Sequence, residues 1–362
     1  MSTETRNAAS RLAQEVAGIE TEIKNLPPAP QTYAIRSMEP RTVHLLARGD
    51  VEQAKEVSLP GTLSCLTGND AVFSLASKNE GERRKALAKW ITSPQNPLTW
   101  RSLVNRVWGY HLGRGIVATP NDFGMLGERP THPELLDWLA GYFLKEGKQS
   151  LKKLHRLIVL SATYRQSSAT EPTFAKQDSD NRLLWRMNRL RLDAESVRDA
   201  TLAVSGKLDL TMGGPGFELF AFKDDHSPIY DYAAFDRIDH PKTWRRAVYR
   251  FLVRSVPNPF MESLDCADPN INTPVRNTTL TAMQALALLN NPFMTQQAGL
   301  FAERLSAKTP DRIAQIEAAF WLTFNRPPTL KERTAFTAYS QKRGLANACR
   351  LLLNANEFVF LD

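Results

Sequence analysis

Apolar positions near the start of the chain fall at Leu12, Val16, Ile19, Ile23 and Leu26, spaced 4, 3, 4, 3. This is a heptad stripe and predicts a short amphipathic helix over residues 5–26. Two heptads are too few for a stable isolated coiled coil, so the stripe is expected to pack on this protein or on a partner protein. Pro27, Pro28 and Pro30 then predict a helix stop and a stiff connector, so residues 1–30 form a first segment. Over residues 31–75 the period shortens. Tyr33/Ile35 and Val43/Leu45 alternate as short strands do, and Gly49-Asp50, Pro60-Gly61 and Gly68-Asn69 supply turns. A small β element is expected here. Its Arg48-Gly49-Asp50 triplet reads as a turn, since a three-residue match is expected by chance.

Residues 76–362 read as a helical domain. Leu87, Trp90 and Ile91 share one side of Glu82–Ile91. Asn96-Pro97 predicts the start of a helix that runs to His111, before Gly113. Thr131-His132-Pro133-Glu134 has the form of a capping box, opening a helix that Gly147 is expected to end. Ser150 caps a helix through Ala162, and Asp193–Val204 is a helix ended by Gly206. An insert is expected over about 207–276. It contains a glycine loop, Met212–Gly216, which matches no phosphate-binding fingerprint. A long loop rich in aromatics and acids follows at 221–243. Then comes a strand, Trp244–Ser255, with Arg246, Arg250 and Arg254 on one face. The remainder is helical: Leu280–Leu289, Phe293–Leu305 after Asn291-Pro292, Asp311–Phe324 after Thr309-Pro310, a capping box at Thr329–Glu332, and a last helix from near Leu345. The fold class expected is mainly α (α+β).

Composition narrows the function. The 362 residues carry 46 Lys and Arg against 38 Asp and Glu, a formal net charge of +8. That balance favours solubility and acidic partners such as an anionic glycan or nucleic acid. Cys65, Cys266 and Cys349 are far apart in sequence, which removes zinc ribbons, thioredoxin-type chemistry and covalent haem attachment. No cofactor is expected. The N-terminus shows no basic region followed by an apolar run, so no secretory signal is expected, and no stretch is long enough for a membrane span.

One run of motifs is distinctive: Asn105-Arg106-Val107-Trp108, Gly113-Arg114-Gly115-Ile116-Val117, Asn121-Asp122-Phe123-Gly124, His132-Pro133-Glu134, Leu154-His155-Arg156-Leu157-Ile158 and Tyr164-Arg165-Gln166. It continues in Asn181-Arg182-Leu183, Asp268-Pro269-Asn270, Gln284-Ala285-Leu286 and Asn354-Ala355-Asn356-Glu357-Phe358. The chain from about residue 33 to the end resembles a planctomycete-type bacterial family of unknown function, the one numbered fifteen-fifty-three. Gln149 stands where that family usually has Trp, and Met283 where it usually has Pro. The resemblance implies bacterial, often exported proteins that commonly follow a cytochrome-c-like segment. It implies no established activity.

Four groups of residues are candidates for chemistry. Asp122, His132, Asp137 and His155 would suit acid–base work or a metal if they converged, although their spacing matches no ligand motif. Arg106, Arg114, Arg156 and Arg165 would hold carboxylate, sulfate or phosphate, or else pair with internal acids. Arg246, Arg250 and Arg254 would form an anion groove, unless the acidic loop at 224–239 neutralises them. Arg182, Arg186, Arg189 and Arg191 form a stripe that would follow a nucleic-acid backbone, but acids lie nearby and no nucleic-acid motif accompanies it. The leading expectation is a binding or assembly module for an anionic ligand. A hydrolase centred on Asp122, His132 and His155 is the alternative, and nucleic-acid binding is the weaker one. Whether the chain is an enzyme stays open at this point.

Overall fold

A computed structural model describes residues 3–26, 33–67, 71–75, 79–235 and 241–361. The chain divides into two compact units, Met1–Asn96 and Pro97–Asp362. The predicted proline connector at Pro27, Pro28 and Pro30 and the Gly68-Asn69 turn lie outside the described residues.

In the first unit, α1 spans Thr3–Asn25. Strands β1 (His44–Leu46) and β2 (Ala54–Val57) form an antiparallel hairpin. Arg48-Gly49-Asp50 sits in its turn, where the Asp50 carboxylate accepts the Glu52 amide at 3.0 Å and the Gln53 side chain at 2.8 Å. Tyr33 and Ile35 lie in no strand and pair with none among the described residues. After α2 (Ser64–Thr67), helix α3 runs over Glu80–Ile91 and is capped by Asn79. The Ser37 hydroxyl joins that cap, donating to Asn79 at 2.5 Å. No hydrophobic side chain described in this unit is fully buried.

The second unit is mainly helical and holds two hydrophobic cores. The first is built on α4 (Pro97–Leu112), α5 (Pro133–Leu144) and α6 (Leu151–Val159). Trp100, Val104, Trp108 and Leu112 of α4 meet Leu136, Leu139 and Phe143 of α5 and Leu154 and Ile158 of α6. Burying each such side chain stabilises the fold by about 1.5–3 kcal/mol before entropy is counted. Gly113 at the end of α4 is φ +83°, and a side chain there would meet Leu190 at 2.4 Å. Leu190 belongs to β3 (Leu190–Arg191), which follows α7 (Pro172–Gln177).

The second core starts with α8 (Ala194–Ser205), capped by Asp193 and closed by left-handed Gly206. The insert follows, with strands β4 (Ala221–Lys223) and β5 (Ile229–Asp231), then α9 (Tyr232–Phe235) and α10 (Pro259–Ser263). Helices α11 (Ala282–Asn290), α12 (Pro292–Ser306), α13 (Arg312–Phe324), α14 (Leu330–Arg343), α15 (Leu345–Leu353) and α16 (Asn356–Val359) complete it. Phe301, Phe320, Met294, Ile316 and Leu352 are among its fully buried members. Strand β6 (Phe360–Leu361) returns to pair antiparallel with β3.

Several local expectations change. Thr131 does not cap α5. Pro133 takes the first helical position, His132 is the cap residue without a side-chain bond, and Thr131 donates to the Ile116 carbonyl. The helix stops at Leu144, three residues before Gly147. α6 ends at Val159 rather than Ala162. Asp311 rather than Thr309 caps α13, because its carboxylate reaches both the Ile313 and Ala314 amides. Residues 221–243 are not one loop: Phe222 pairs with Tyr230 across the β4–β5 hairpin.

The predicted strand Trp244–Ser255 is absent. Ala247–Tyr249 form a single tight helical turn, and only isolated bridges, Asp209 with Arg245 and Phe217 with Arg250, touch the segment. The Ala247 amide is taken by the Asp199 carboxylate at 2.8 Å, and the Arg250 amide turns back to the Ala247 carbonyl at 3.0 Å, so no continuous ladder forms. Arg246, Arg250 and Arg254 therefore do not share a strand face.

Arg326 clamps the C-terminal helices. Its guanidinium donates to both Glu332 oxygens at 2.8 and 2.9 Å and to both Glu357 oxygens at 2.5 and 2.7 Å. It lies 5.6 Å from the Phe320 and Phe324 ring centres. The bonds from Arg326, before the lesser effect of burial, hold the Glu332 carboxyl down at about 2. A carboxylate depressed in the fold stabilises fully above its ordinary value of 4.5 and loses that contribution as pH falls toward 2. Arg326→Met should therefore cost about 1–2 kcal/mol at neutral pH, limited by partial exposure. In urea titrations the gap to the parent should close as pH falls through that range; a gap independent of pH would contradict the clamp.

Candidate functional site

The insert folds back on itself to form a cleft. Asn258 opens α10 by accepting the Met261 amide at 3.0 Å, and Met261 anchors the turn in the second core. Beyond the helix, Asp268 accepts the Asn270 amide at 2.8 Å and shapes the Asp268-Pro269-Asn270 turn. Asn270 then clips this turn to the preceding segment, donating to the Arg254 carbonyl at 2.7 Å and accepting from Arg254 Nε at 3.2 Å. Between the two segments lies a cavity of about 260 Å³ lined by Tyr232, Arg250, Arg254, Asn258, Cys266 and Asn270 among others, with the exposed Glu262 and Asp268.

Arg250 is the distinctive side chain. Its Nη2 donates to Cys266 Sγ at 3.5 Å, and its Nε is buried without a partner. Arg250 makes no ion pair among the described residues. The nearby Glu195 carboxylate is taken instead by Arg276, at 2.6 and 3.1 Å. Burial pushes Glu195 upward, but the Arg276 bonds win and its pKa ends below the usual carboxylate value. Cys266 donates to Glu195 at 3.7 Å. Burial, then the Glu195 charge, pushes this thiol up, so it is protonated at neutral pH and a weak nucleophile. The cleft thus offers two guanidiniums, side-chain amides and the carboxylates of Glu262 and Asp268 rather than an activated nucleophile.

The other sequence candidates have separate neighbours. Asp137 pairs with Arg101 at 2.5 Å. Asp122 accepts the Gly124 amide at 2.8 Å in a turn. His132 contacts the Thr131 hydroxyl at 2.9 Å. His155 meets His111, Nδ1 to Nε2, at 2.7 Å. No bond joins any two of the four proposed catalytic residues among the described residues, and no group of three or more His, Cys, Asp or Glu there suits a metal. Arg106 donates to the Pro120 carbonyl and to Asn121. Arg114 pairs with Glu128 at 3.3 Å. Arg165 donates to the Ser161 carbonyl at 3.4 Å, while Arg156 and Arg246 are exposed. Of the stripe, Arg182 approaches Glu128 at 3.8 Å, Arg186 lies over Trp185, and Arg191 bonds Gln284 and approaches Asp265 at 3.6 Å.

A protein-family model described as Protein of unknown function (DUF1553) matches residues 83–340. The chain belongs to this family. The match takes in every residue of the cleft, including the Asp268-Pro269-Asn270 motif. No curated protein and no solved structure matches the chain. Within this DUF1553 chain, sequence reasoning missed Tyr232, Asn258 and Cys266. The spacing of Cys266 from the other cysteines speaks only to zinc, redox and haem motifs, and nothing in the sequence marks it as the neighbour of Arg250. The Asp268-Pro269-Asn270 motif was the available signal.

In the sequence His111 reads only as a helix end. Burial, and then the neighbouring His155, lowers its pKa from the ordinary 6.5. The unfolded chain therefore binds that proton more readily. The stability His111 contributes is full above about pH 6.5 and shrinks as pH falls. Between about pH 7.5 and about pH 5.5 the parent should lose more stability than His111→Gln, as read from urea midpoints; parallel losses would contradict this.

Proposed function

We propose that the cleft binds an anionic group, a carboxylate or sulfate such as a uronic or sulfated glycan presents. The observation that carries this reading is Arg250: a guanidinium that lines the cavity and makes no ion pair among the described residues, with a thiol as its side-chain neighbour. Arg254 supplies a second charge on the same lining, and Asn258 and Asn270 supply amides. Asp122, His132, Asp137 and His155 give the hydrolase alternative less support, since each has its own local partner. The nucleic-acid reading is weaker still, because Arg182 and Arg191 lie against acids of this chain. The binding-module reading places the protein as a recognition unit rather than a catalyst.

The test is retention on a sulfated-polysaccharide column with a salt gradient. Arg250→Ala should weaken binding roughly tenfold or more, since charge-assisted bonds to an anion are lost. Arg246→Ala removes an equal charge outside the cleft lining and should elute close to the parent. Equal shifts for the two variants would mean that net charge alone holds the polymer, and the cleft reading would fall.

A further inference from the structure

Along the apolar seam from Leu12 to Leu26, the charged shoulder residues of α1 are all acidic, and the one basic shoulder residue, Arg6, precedes the seam. With Val16 and Ile23 at heptad position a and Leu12, Ile19 and Leu26 at d, the g positions are Ala8, Glu15 and Glu22, and the e positions are Arg6, Ala13 and Glu20. All five apolar side chains are at least half exposed. Branched residues at a with mostly Leu at d suit a two-stranded pairing.

The identity of the second strand follows from the shoulders. Parallel pairing of two copies sets position g against e of the next heptad, which opposes Glu15 to Glu20. Antiparallel pairing with every a layer against a d sets g against g, which again opposes Glu15 to Glu22, while Glu20 at e falls opposite Ala13. Like charges so placed disfavour a second copy. We propose that α1 docks a helix of a different protein whose own shoulders carry Lys or Arg, forming a two-chain coiled coil. At 23 residues α1 is roughly 34 Å long, about three heptads, so the hydrophobic seam alone is marginal and the shoulder charges decide the partner. Opposite charges at e and g set both partner choice and orientation in such pairs.

The test uses the full chain and two synthetic helical peptides with Val at a and Leu at d, one with Lys at every e and g and one with Glu there. The Lys peptide should bind at least about tenfold more tightly at low salt, and the difference should narrow as salt screens the shoulders. Ile19→Asp should abolish binding. Because Ile19 is on an exposed face, the rest of the fold should be unaffected, which circular dichroism checks. The triple variant Glu15→Lys/Glu20→Lys/Glu22→Lys should reverse the preference between the peptides. The parent should show no self-association that Ile19→Asp removes in sedimentation. Equal binding of both peptides, survival of Lys-peptide binding in Ile19→Asp, or self-association through the stripe would each overturn the proposal. None of the cleft residues belongs to α1, so failure here leaves the Arg250 test standing.

Discussion

The cleft-bearing insert depends on one buried cation. Arg198, on α8, is almost wholly removed from solvent. It donates to the carbonyls of Thr243 and, at 3.0 Å, Arg245, approaches Asp199 at 3.5 Å, and lies 5.0 and 5.5 Å from the Phe217 and Phe293 ring centres. Removing such a charge from water costs several kcal/mol, so it persists only where carbonyls, a carboxylate and ring faces replace the lost hydration. Burial lowers its pKa to about 10, a penalty that Asp199 partly offsets, and it stays protonated at neutral pH. Asp199 in turn holds the Ala247 amide. Together the two side chains fix the backbone at 243–247, directly before the segment that presents Arg250 and Arg254.

The remaining insert contacts follow from that anchor. Arg245 reaches across to the glycine loop, donating to the Thr211, Gly213 and Pro215 carbonyls, while its guanidinium rests 3.9 Å from the centre of the Tyr249 ring. Phe220 packs edge-on against Tyr230, Tyr232 and Phe251, so the β4–β5 hairpin lies on the same segment. Arginine does three different jobs around this insert. Arg198 pins the backbone, Arg245 closes a loop, and Arg250 faces a cavity. The charge count of the chain does not distinguish them; their surroundings do.

How much of this was legible in the sequence depends on the range of the interaction. Local signals served well. Ser150 and Thr329 cap helices through bonds that span three residues, and Gly206 closes α8 with a positive φ. Thr131 failed as a cap because Pro133 competed for the same turn and the start moved by one residue. The alternation at Trp244–Ser255 suggested a strand, but Asp199, nearly fifty residues away, takes the Ala247 amide that a ladder would need. The same distance problem hid the site. Arg250 was visible as a candidate, yet its neighbour Cys266 and the Arg276–Glu195 pair that diverts the nearest carboxylate are assembled only by the packing of α8 against the insert. A period-2 or period-3.6 reading contains no information about such partners.

Amide hydrogen exchange in Arg198→Leu tests the anchoring claim most directly. Native-state exchange separates local opening from global unfolding. The account predicts that protection at Ala247 and its neighbours through Val253 collapses while α12 and α15 keep theirs. Unchanged protection over 244–253 in that variant would contradict it.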